Sequence, residues 1–335
     1  MGVDNIPVAA MTERGIPVFN APGANANAVR ELTVLGMLMA ARNVVGAIAF
    51  TQGHAGETDI AKSAEAAKKE FAGTELAGKT LGLIGLGAIG GLVAEAALAF
   101  GMHVVGYDTE LPAARALKLP QALSLAPSLD ELLETSDFIS LHLPFIPGEH
   151  GTLHFIDSTR IKRMKQGVVL LNLARPEVVS EAAVLEALTV GKIQSYVCDF
   201  PSPELSAQLG LGVILLPHLG ASTDGAEEKS ATMVLEQLFD YLENGNVTNA
   251  VNFPNLKLSR QTAYRLTVAH RNVEGVLETI LAQLAQSRVN IARMELNTRG
   301  DIGYVIFEFE AEISEGLIGV ISELSNVLRA RYLAP

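Results

Sequence analysis

The stretch TLGLIGLGAIGGLVAEAALAFG (residues 80–101) changes its hydrophobic period part-way along. Residues 80–84 are a short apolar run, which predicts a strand buried on both faces. The apolar residues after Gly90 recur at helical spacing and predict a helix over 91–100. Between the two lies GLGAIG (85–90), a glycine pattern that permits a tight turn. A strand, a glycine turn and a helix in this order predict one β-α unit of a parallel sheet.

The glycine turn has the context of a dinucleotide site. Gly85 allows the tight turn, Gly87 lets the backbone approach a pyrophosphate, and Gly90 lets the helix pack closely on the strand. The start of the helix then faces the phosphates. Asp108 ends the next apolar run, where its carboxylate can bind a ribose diol and repel a 2′-phosphate. A turn that binds nothing is the alternative, but this context favours an NAD-binding Rossmann domain.

Similar apolar runs extend on both sides of the stretch. Together they occupy residues 80–85, 103–108, 138–143, 168–173, 195–200 and 213–216. Further helices are predicted at 25–43, 181–190 and 225–245. Because the runs are apolar on both faces and helices separate them, the pattern predicts a doubly wound α/β domain with a parallel sheet.

The composition changes near residue 253. The segment 253–262 is polar, contains a proline and predicts a linker. Residues 263–335 follow the order β, α, β, β, α, β, which predicts a small ferredoxin-like module.

Bulk properties exclude several classes of partner. The chain has 335 residues, 49% of them hydrophobic, and a formal net charge of −12. An acidic surface repels nucleic-acid phosphates and anionic lipid, so neither is an expected partner. The single cysteine, Cys198, fits a reducing compartment and predicts a cytoplasmic protein. No apolar run reaches the length of a membrane span, and no set of metal ligands is expected.

Ionisable residues follow successive predicted strands. Arg175 comes after 168–173, Asp199 after 195–198 and His218 after 213–216, and Glu204 lies in the loop beyond Asp199. Ligands of open parallel sheets bind at the carboxyl ends of the strands. An arginine can clamp a carboxylate, and a histidine oriented by an acid can move a proton. Each residue alone is more often a surface ion, but together they predict a site that oxidises an alcohol beside a nicotinamide.

With these motifs in place, the chain resembles the D-isomer-specific 2-hydroxyacid dehydrogenases, and most closely those that oxidise 3-phospho-D-glycerate. The matching stretches, in order, are VFNAPGANANAVREL (18–32), LAGKTLGLIGLGAIGGLVAEAALAFGMHVVGYD (76–108), SLHLPFIPGEHGTLHFI (140–156), VVLLNLARPEVVSEAAVLEAL (168–188), CDFPSPEL (198–205) and LLPHLGAST (215–223).

The resemblance implies oxidation of 3-phospho-D-glycerate to 3-phosphohydroxypyruvate with NAD, the reaction that opens L-serine synthesis. It implies catalytic roles for Arg175, Glu204 and His218. The cofactor residues it implies are Gly85, Gly87, Ala88, Ile89, Gly90, Asp108, His142, Pro144, Leu173, Ala174, Asp199 and Gly220. The substrate residues it implies are Gly2, Val3, Asn5 and Arg175. Because members of the family are oligomers, the resemblance also implies a homodimer or homotetramer.

The resemblance also divides the chain. Residues 1–24 and 219–252 would be part of a flavodoxin-like substrate domain whose first strands precede this chain, and 25–218 the NAD-binding domain. Residues 263–335 resemble an ACT domain, a small-molecule sensor, and the residues expected to bind L-serine are His270, Asn272 and Asn290.

Two residues depart from the family pattern, and two alternative functions stay open. Pro176 stands where a glycine is usual, and Glu274 adds negative charge near the effector site. The alternatives are a dehydrogenase of another D-2-hydroxy acid and an NAD-binding regulator without turnover.

Overall fold

A computed structural model describes residues 5–335 and divides them into two compact units. One unit is Asn25–Glu227, and the other joins the described residues up to Ala24 with Glu228–Pro335. The strands are β1 Thr80–Ile84, β2 His103–Tyr107, β3 Ser124–Leu125, β4 Phe138–Leu141, β5 Val168–Asn172, β6 Ile193–Cys198, β7 Val213–Leu215, β8 Tyr264–Arg271, β9 Ile291–Arg299, β10 Ile302–Phe309 and β11 Val327–Leu333. The α-helices are α1 Val8–Glu13, α2 Ala26–Ala41, α3 Val44–Gly53, α4 Ile60–Ala67, α5 Ala88–Ala99, α6 Ala113–Ala116, α7 Leu129–Thr135, α8 Ser158–Arg163, α9 Glu181–Thr189, α10 Pro203–Ser206, α11 Asp224–Asn244, α12 Val276–Gln286 and α13 Glu315–Ser322.

The first unit is built on a seven-stranded sheet in the order β3-β2-β1-β4-β5-β6-β7. All of its strand pairs are parallel. The chain order reverses between β1 and β4, and such a reversal opens a crevice at the carboxyl ends of the strands. The predicted doubly wound Rossmann fold is therefore confirmed. Only β3 was not predicted, because it consists of two exposed residues without a buried face.

Helices cover this sheet on both faces. On one face α2 and α5 bury Met37 and Val93 against β1 and β5. On the other face α7 and α9 bury Leu132 and Val184. Each large apolar side chain removed from water stabilises the fold by about 2 kcal/mol. The core thus fixes the strand ends that carry the candidate site.

Two helix boundaries differ from those predicted. Helix α5 begins at Ala88, earlier than the predicted residue 91, because Gly87 already serves as its N-cap. Helix α2 ends at Ala41, earlier than the predicted residue 43. The chain then passes through Asn43, which has a left-handed φ of 47°, and enters α3. Among the described residues, no single helix is long and apolar enough to cross a membrane. Helices α2 and α3 reach that length and apolar composition only when taken together, and the pair is bent by 66°.

The second unit contains an antiparallel sheet in the order β11-β8-β10-β9. Helices α12 and α13 pack on one face of it and bury Ile280 and Leu317. The element order is the predicted β, α, β, β, α, β of a ferredoxin-like module.

The segment predicted as a linker is packed against the other face of this sheet. Phe253, Leu256 and Leu258 are buried there with Tyr304. Arg265 and Glu308 form a fully buried ion pair 2.6 Å long, and the same Arg265 nitrogen also donates to the Leu258 carbonyl 2.9 Å away. Three apolar side chains spaced through a polar segment give no period, which is why the sequence pattern resembles a linker.

The expected remnant of a substrate domain forms no sheet within the described residues. Residues 5–24 contain α1 and an isolated bridge from Phe19 to Ala250. The Asn252 side chain holds this segment, since its amide nitrogen donates to Ile16 and its oxygen accepts from Val18. Too few residues are present here to complete a sheet.

Candidate active site

The glycine turn leaves open only the position where a ligand needs space. A Cβ on Gly90 would lie 2.1 Å from the Gly85 carbonyl oxygen, and Gly85 has a left-handed φ of 96°. A Cβ on Gly87 would meet no atom within 4 Å. The first and third glycines are therefore required by packing, whereas the backbone at Gly87 faces open space.

The turn is braced by Asp108. One carboxylate oxygen accepts from the Leu86 amide at 2.7 Å and the other from the Glu110 amide at 2.9 Å. Helix α5 has no side-chain cap on its first turn, so its first amides remain available to an anion. Each carboxylate oxygen of Asp108 keeps a second lone pair for a ribose hydroxyl.

A cleft of about 190 Å³ lies at the carboxyl ends of β4, β5 and β6, and we call it the strand-end cleft. The predicted residues that line it are Ile89, His142, Pro144, Leu173, Ala174, Arg175, Asp199, His218 and Gly220. It is also lined by Asn25, Val29, Leu143 and Ala221, which were not predicted. Asn25 and Val29 lie at the start of α2, far from the strand ends in sequence, so no strand-end pattern indicates them.

Arg175 is placed by a buried asparagine that the sequence analysis missed. Asn172, the last residue of β5, donates to the Arg175 carbonyl at 2.9 Å and accepts from the Ala174 amide at 3.1 Å. A polar residue ending an otherwise apolar strand was the available signal. Pro176 opens a 3₁₀ turn at Pro176–Val178, a position where an amide donor is not needed.

His218 is placed by Asp199. The Asp199 carboxylate is buried, and its two oxygens accept from the amides of Leu219 and Gly220, both at 2.7 Å. These bonds fix the loop immediately after His218, whose backbone takes a left-handed φ of 59°. The imidazole packs edge-on against Phe200, with ring centroids 5.2 Å apart.

The expected contact between Glu204 and His218 is not formed. Within residues 5–335, no ion pair of 4 Å or less joins them, and Glu204 is exposed in the first turn of α10. The reason is local. Ser202 caps that short helix through the Leu205 amide, and His218 rests on Phe200.

His142 carries a buried, neutral imidazole at the end of β4. One ring nitrogen lies 3.0 Å from the Ser140 hydroxyl, and the other is buried without a partner among the described atoms. Although part of the residue reaches the surface, burial of the ring lowers the pKa of His142 to about 4. The residue that carries this buried nitrogen also lines the strand-end cleft.

The family model described as "D-isomer specific 2-hydroxyacid dehydrogenase, NAD binding domain" matches residues 34–220. This match spans more than half of the chain and contains the glycine turn, Arg175 and His218. The chain belongs to this family. The predicted family, fold and cofactor, NAD, are thereby confirmed.

Known proteins with sequences similar to this chain include two D-3-phosphoglycerate dehydrogenases. The one from Methanocaldococcus jannaschii is 39% identical over 90% of this chain and 55% of its own length. The one from Haemophilus influenzae is 35% identical over 99% of this chain and 79% of its own length. A solved neighbour, D-lactate dehydrogenase from Aquifex aeolicus complexed with NAD and lactic acid, is 28% identical with a TM-score of 0.60, covering 76% of this chain and 78% of that one. The chain thus spans about half of one relative and four fifths of the other.

The residues at the glycine turn are suited to binding NAD. Gly87 has open space on its Cβ side, the first turn of α5 is uncapped, and Asp108 keeps lone pairs for a ribose. Among the described residues, no cluster of three or more His, Cys, Asp or Glu side chains is placed to hold a metal ion.

The residues predicted to bind the effector, L-serine, do not all lie close together within one chain. His270 pairs with Gly303 near one end of the small sheet, whereas Asn290 precedes Ile291, which pairs with Phe309 at the other end. The two positions are six residues apart along β10, which corresponds to about 20 Å along the strand. Asn272 stays near His270, with its side chain on the Gly300 carbonyl 3.0 Å away.

Two of the predicted substrate residues, Gly2 and Val3, lie outside the described residues, and Asn5 is exposed.

The sequence pattern alone could not reveal that the effector residues are separated, because their separation depends on strand register.

The buried ring of His142 should make stability depend on pH. The unfolded imidazole binds a proton below about pH 6.5, but the folded one does so only near pH 4. The unfolded state therefore binds more protons in this window, and the free energy of unfolding falls as the pH falls. We expect this residue to remove about 2 kcal/mol between pH 7.5 and pH 5.

Urea denaturation at the two pH values measures this loss. His142→Gln removes the titrating group while keeping a partner for Ser140, so it should lose about 2 kcal/mol less than the parent protein over the same interval. An unchanged pH dependence in the variant would contradict the assignment.

Proposed function

We propose that this chain is an NAD-dependent dehydrogenase that oxidises 3-phospho-D-glycerate to 3-phosphohydroxypyruvate. The observation that carries the proposal is that Arg175 and His218 line one cleft beside the glycine turn. The phosphoglycerate specificity is supported by the names of the relatives from Methanocaldococcus jannaschii and Haemophilus influenzae.

In this proposal Arg175 binds the substrate carboxylate through its planar guanidinium, which matches two carboxylate oxygens. His218 accepts the proton of the 2-hydroxyl group as that carbon is oxidised, and returns it in the reverse direction. Bound NAD supplies the acceptor for the hydride. Asp199 keeps His218 in place through the Leu219 and Gly220 amides.

Glu204 completes the proposed set only after a local rearrangement. Its carboxylate is exposed at the start of α10, a helix of four residues. The proposal therefore requires a movement of this short helix or of the His218 ring that joins the two side chains. The acid would then favour the charged imidazole that forms when His218 accepts a proton.

A dehydrogenase of another D-2-hydroxy acid is the second candidate, because the solved neighbours include a D-lactate dehydrogenase complexed with lactic acid. Both candidates place a carboxylate on Arg175 and a hydroxyl group on His218. They differ in whether the remaining part of the substrate carries a phosphate.

Regulation by L-serine through the C-terminal module belongs to the same proposal. It is supported by the ferredoxin-like topology of residues 263–335 and by the unpartnered, buried ring nitrogen of His270. The proposal extends to a homodimer or homotetramer working in the cytoplasm, where the free thiol of the buried Cys198 is stable.

The test is a substrate panel followed through NADH oxidation, with phosphohydroxypyruvate, pyruvate and glyoxylate at equal concentrations, with and without L-serine. We expect phosphohydroxypyruvate to give the highest kcat/KM. Arg175→Ala should lower kcat/KM at least about a hundredfold, whereas Arg163→Ala, which removes a surface arginine paired with Asp130 and Glu134, should not. Faster turnover of pyruvate or glyoxylate would favour the second candidate. Tight NADH binding without turnover of any substrate would favour a regulator.

A further inference from the structure

A second cleft lies on the other side of the glycine turn. It has a volume of about 470 Å³, and we call it the α5 cleft. Gly87, Ala88 and Gly91, at the first turn of α5, line this cleft together with Arg115 and Lys118. The strand-end cleft reaches Ile89 of the same turn. A long ligand that occupies the strand-end cleft and crosses the turn therefore enters the α5 cleft.

Neither of the two cations of the α5 cleft is held in an ion pair among the described residues. Within residues 5–335, neither Arg115 nor Lys118 takes part in an ion pair of 4 Å or less. Among the described residues that line the cleft, Glu95 is the only acid. Two positive charges three positions apart in the chain repel each other unless an anion offsets them. In a chain with a net charge of −12, such a pair is a local exception.

The turn itself brings no positive side chain to an anion. Its residues, GLGAIG, are uncharged, and the cap position of α5 is a glycine. Backbone amides can bind a phosphate there, and charge-assisted hydrogen bonds from cationic side chains are stronger than those between neutral groups. Among the residues that line this cleft, the cationic side chains are those of Arg115 and Lys118.

We propose that Arg115 and Lys118 bind a phosphate of the dinucleotide in the α5 cleft, opposite the amides of the first α5 turn. The proposal rests on the NAD binding proposed above and adds positioning residues to it. The ligand chemistry is a phosphate anion, which the pyrophosphate of NADH supplies; the ribose 2′-phosphate of NADPH is the other source that the experiment distinguishes.

The experiment is a fluorescence titration of NADH into the full chain at about 50 mM and about 500 mM salt. We expect the Kd to rise about threefold for Arg115→Ala and for Lys118→Ala, and about tenfold for the double variant, at low salt. The difference should shrink at high salt, because exposed charges are screened. Lys62→Ala is the matched control, since Lys62 is an exposed lysine of α4 that lines neither cleft.

Competition by ADP and direct titration of NADPH identify the phosphate. Parallel losses of ADP and NADH affinity in the double variant support the proposal with the pyrophosphate as ligand. A loss confined to NADPH would contradict the proposal, because NADH lacks the 2′-phosphate and its affinity would then be unchanged. Glu95→Gln removes the opposing charge and should lower the Kd of NADH about twofold.

Unchanged affinities in the double variant, with circular dichroism showing an intact fold, would overturn this proposal while leaving the proposed function in place. Failure of the parent protein to bind NADH would instead overturn the proposed function itself.

Discussion

A His218→Gln variant is expected to lower kcat about a thousandfold while leaving the Kd of NADH within about twofold of the parent value. Glutamine fills a similar volume but cannot accept the hydroxyl proton near neutral pH. The side chain is exposed, and the loop after it is held by Asp199 rather than by the imidazole. The substitution should therefore remove proton transfer without releasing the loop.

Steady-state rates with phosphohydroxypyruvate and NADH fluorescence titration measure these two effects separately. His103→Gln serves as the control, because His103 is exposed at the start of β2 and lines neither cleft. Retention of more than about a tenth of the parent kcat would contradict a role in proton transfer. A simultaneous loss of NADH binding and of the folded state would indicate that His218 is structural.

Gly90→Ala is expected to abolish NADH binding and to destabilise the first unit. The added Cβ would lie 2.1 Å from the Gly85 carbonyl oxygen, which is backbone and cannot swing aside. The start of α5 or the turn must then move, at a cost of about 3 kcal/mol in the free energy of unfolding. Because the same movement displaces the amides that face the ligand, we expect the Kd of NADH to rise at least about a hundredfold.

Thermal denaturation and NADH titration test this expectation. Gly53→Ala is the matched control, since a Cβ there meets no atom within 4 Å and an alanine in place of a helical glycine is neutral or slightly stabilising. A Gly90→Ala protein with the melting temperature and NADH affinity of the parent would show that the close approach of turn and helix is unnecessary.

The parallel sheet was accessible from the sequence because a buried parallel strand must be apolar on both faces. β1, β4 and β5 are apolar runs with few exceptions, and each is buried along its length or nearly so. Two of those exceptions, Ser140 and Asn172, are buried polar residues that position His142 and Arg175. β3 escaped prediction because its two residues are exposed.

The candidate site was accessible in part. Arg175 and His218 follow strands that end at the same edge of the sheet, so their convergence on one cleft follows from the topology. Glu204 lies in the short helix α10 beyond the end of β6, where sequence position sets no distance to His218, and the two side chains form no ion pair within residues 5–335. The residues of α2 in the cleft reach it by packing across the sheet.

The sequence by itself determined the Rossmann sheet, the glycine turn and the residues at the strand ends, because periodicity and glycine placement act over a few residues. Only the tertiary structure decided the rest: that Asp199 holds the His218 loop, that His270 and Asn290 lie at opposite ends of a sheet, and that Arg115 and Lys118 line the same cleft as residues of the turn. These relations join segments distant along the chain. They depend on strand register and on packing, and neither leaves a local period in the sequence.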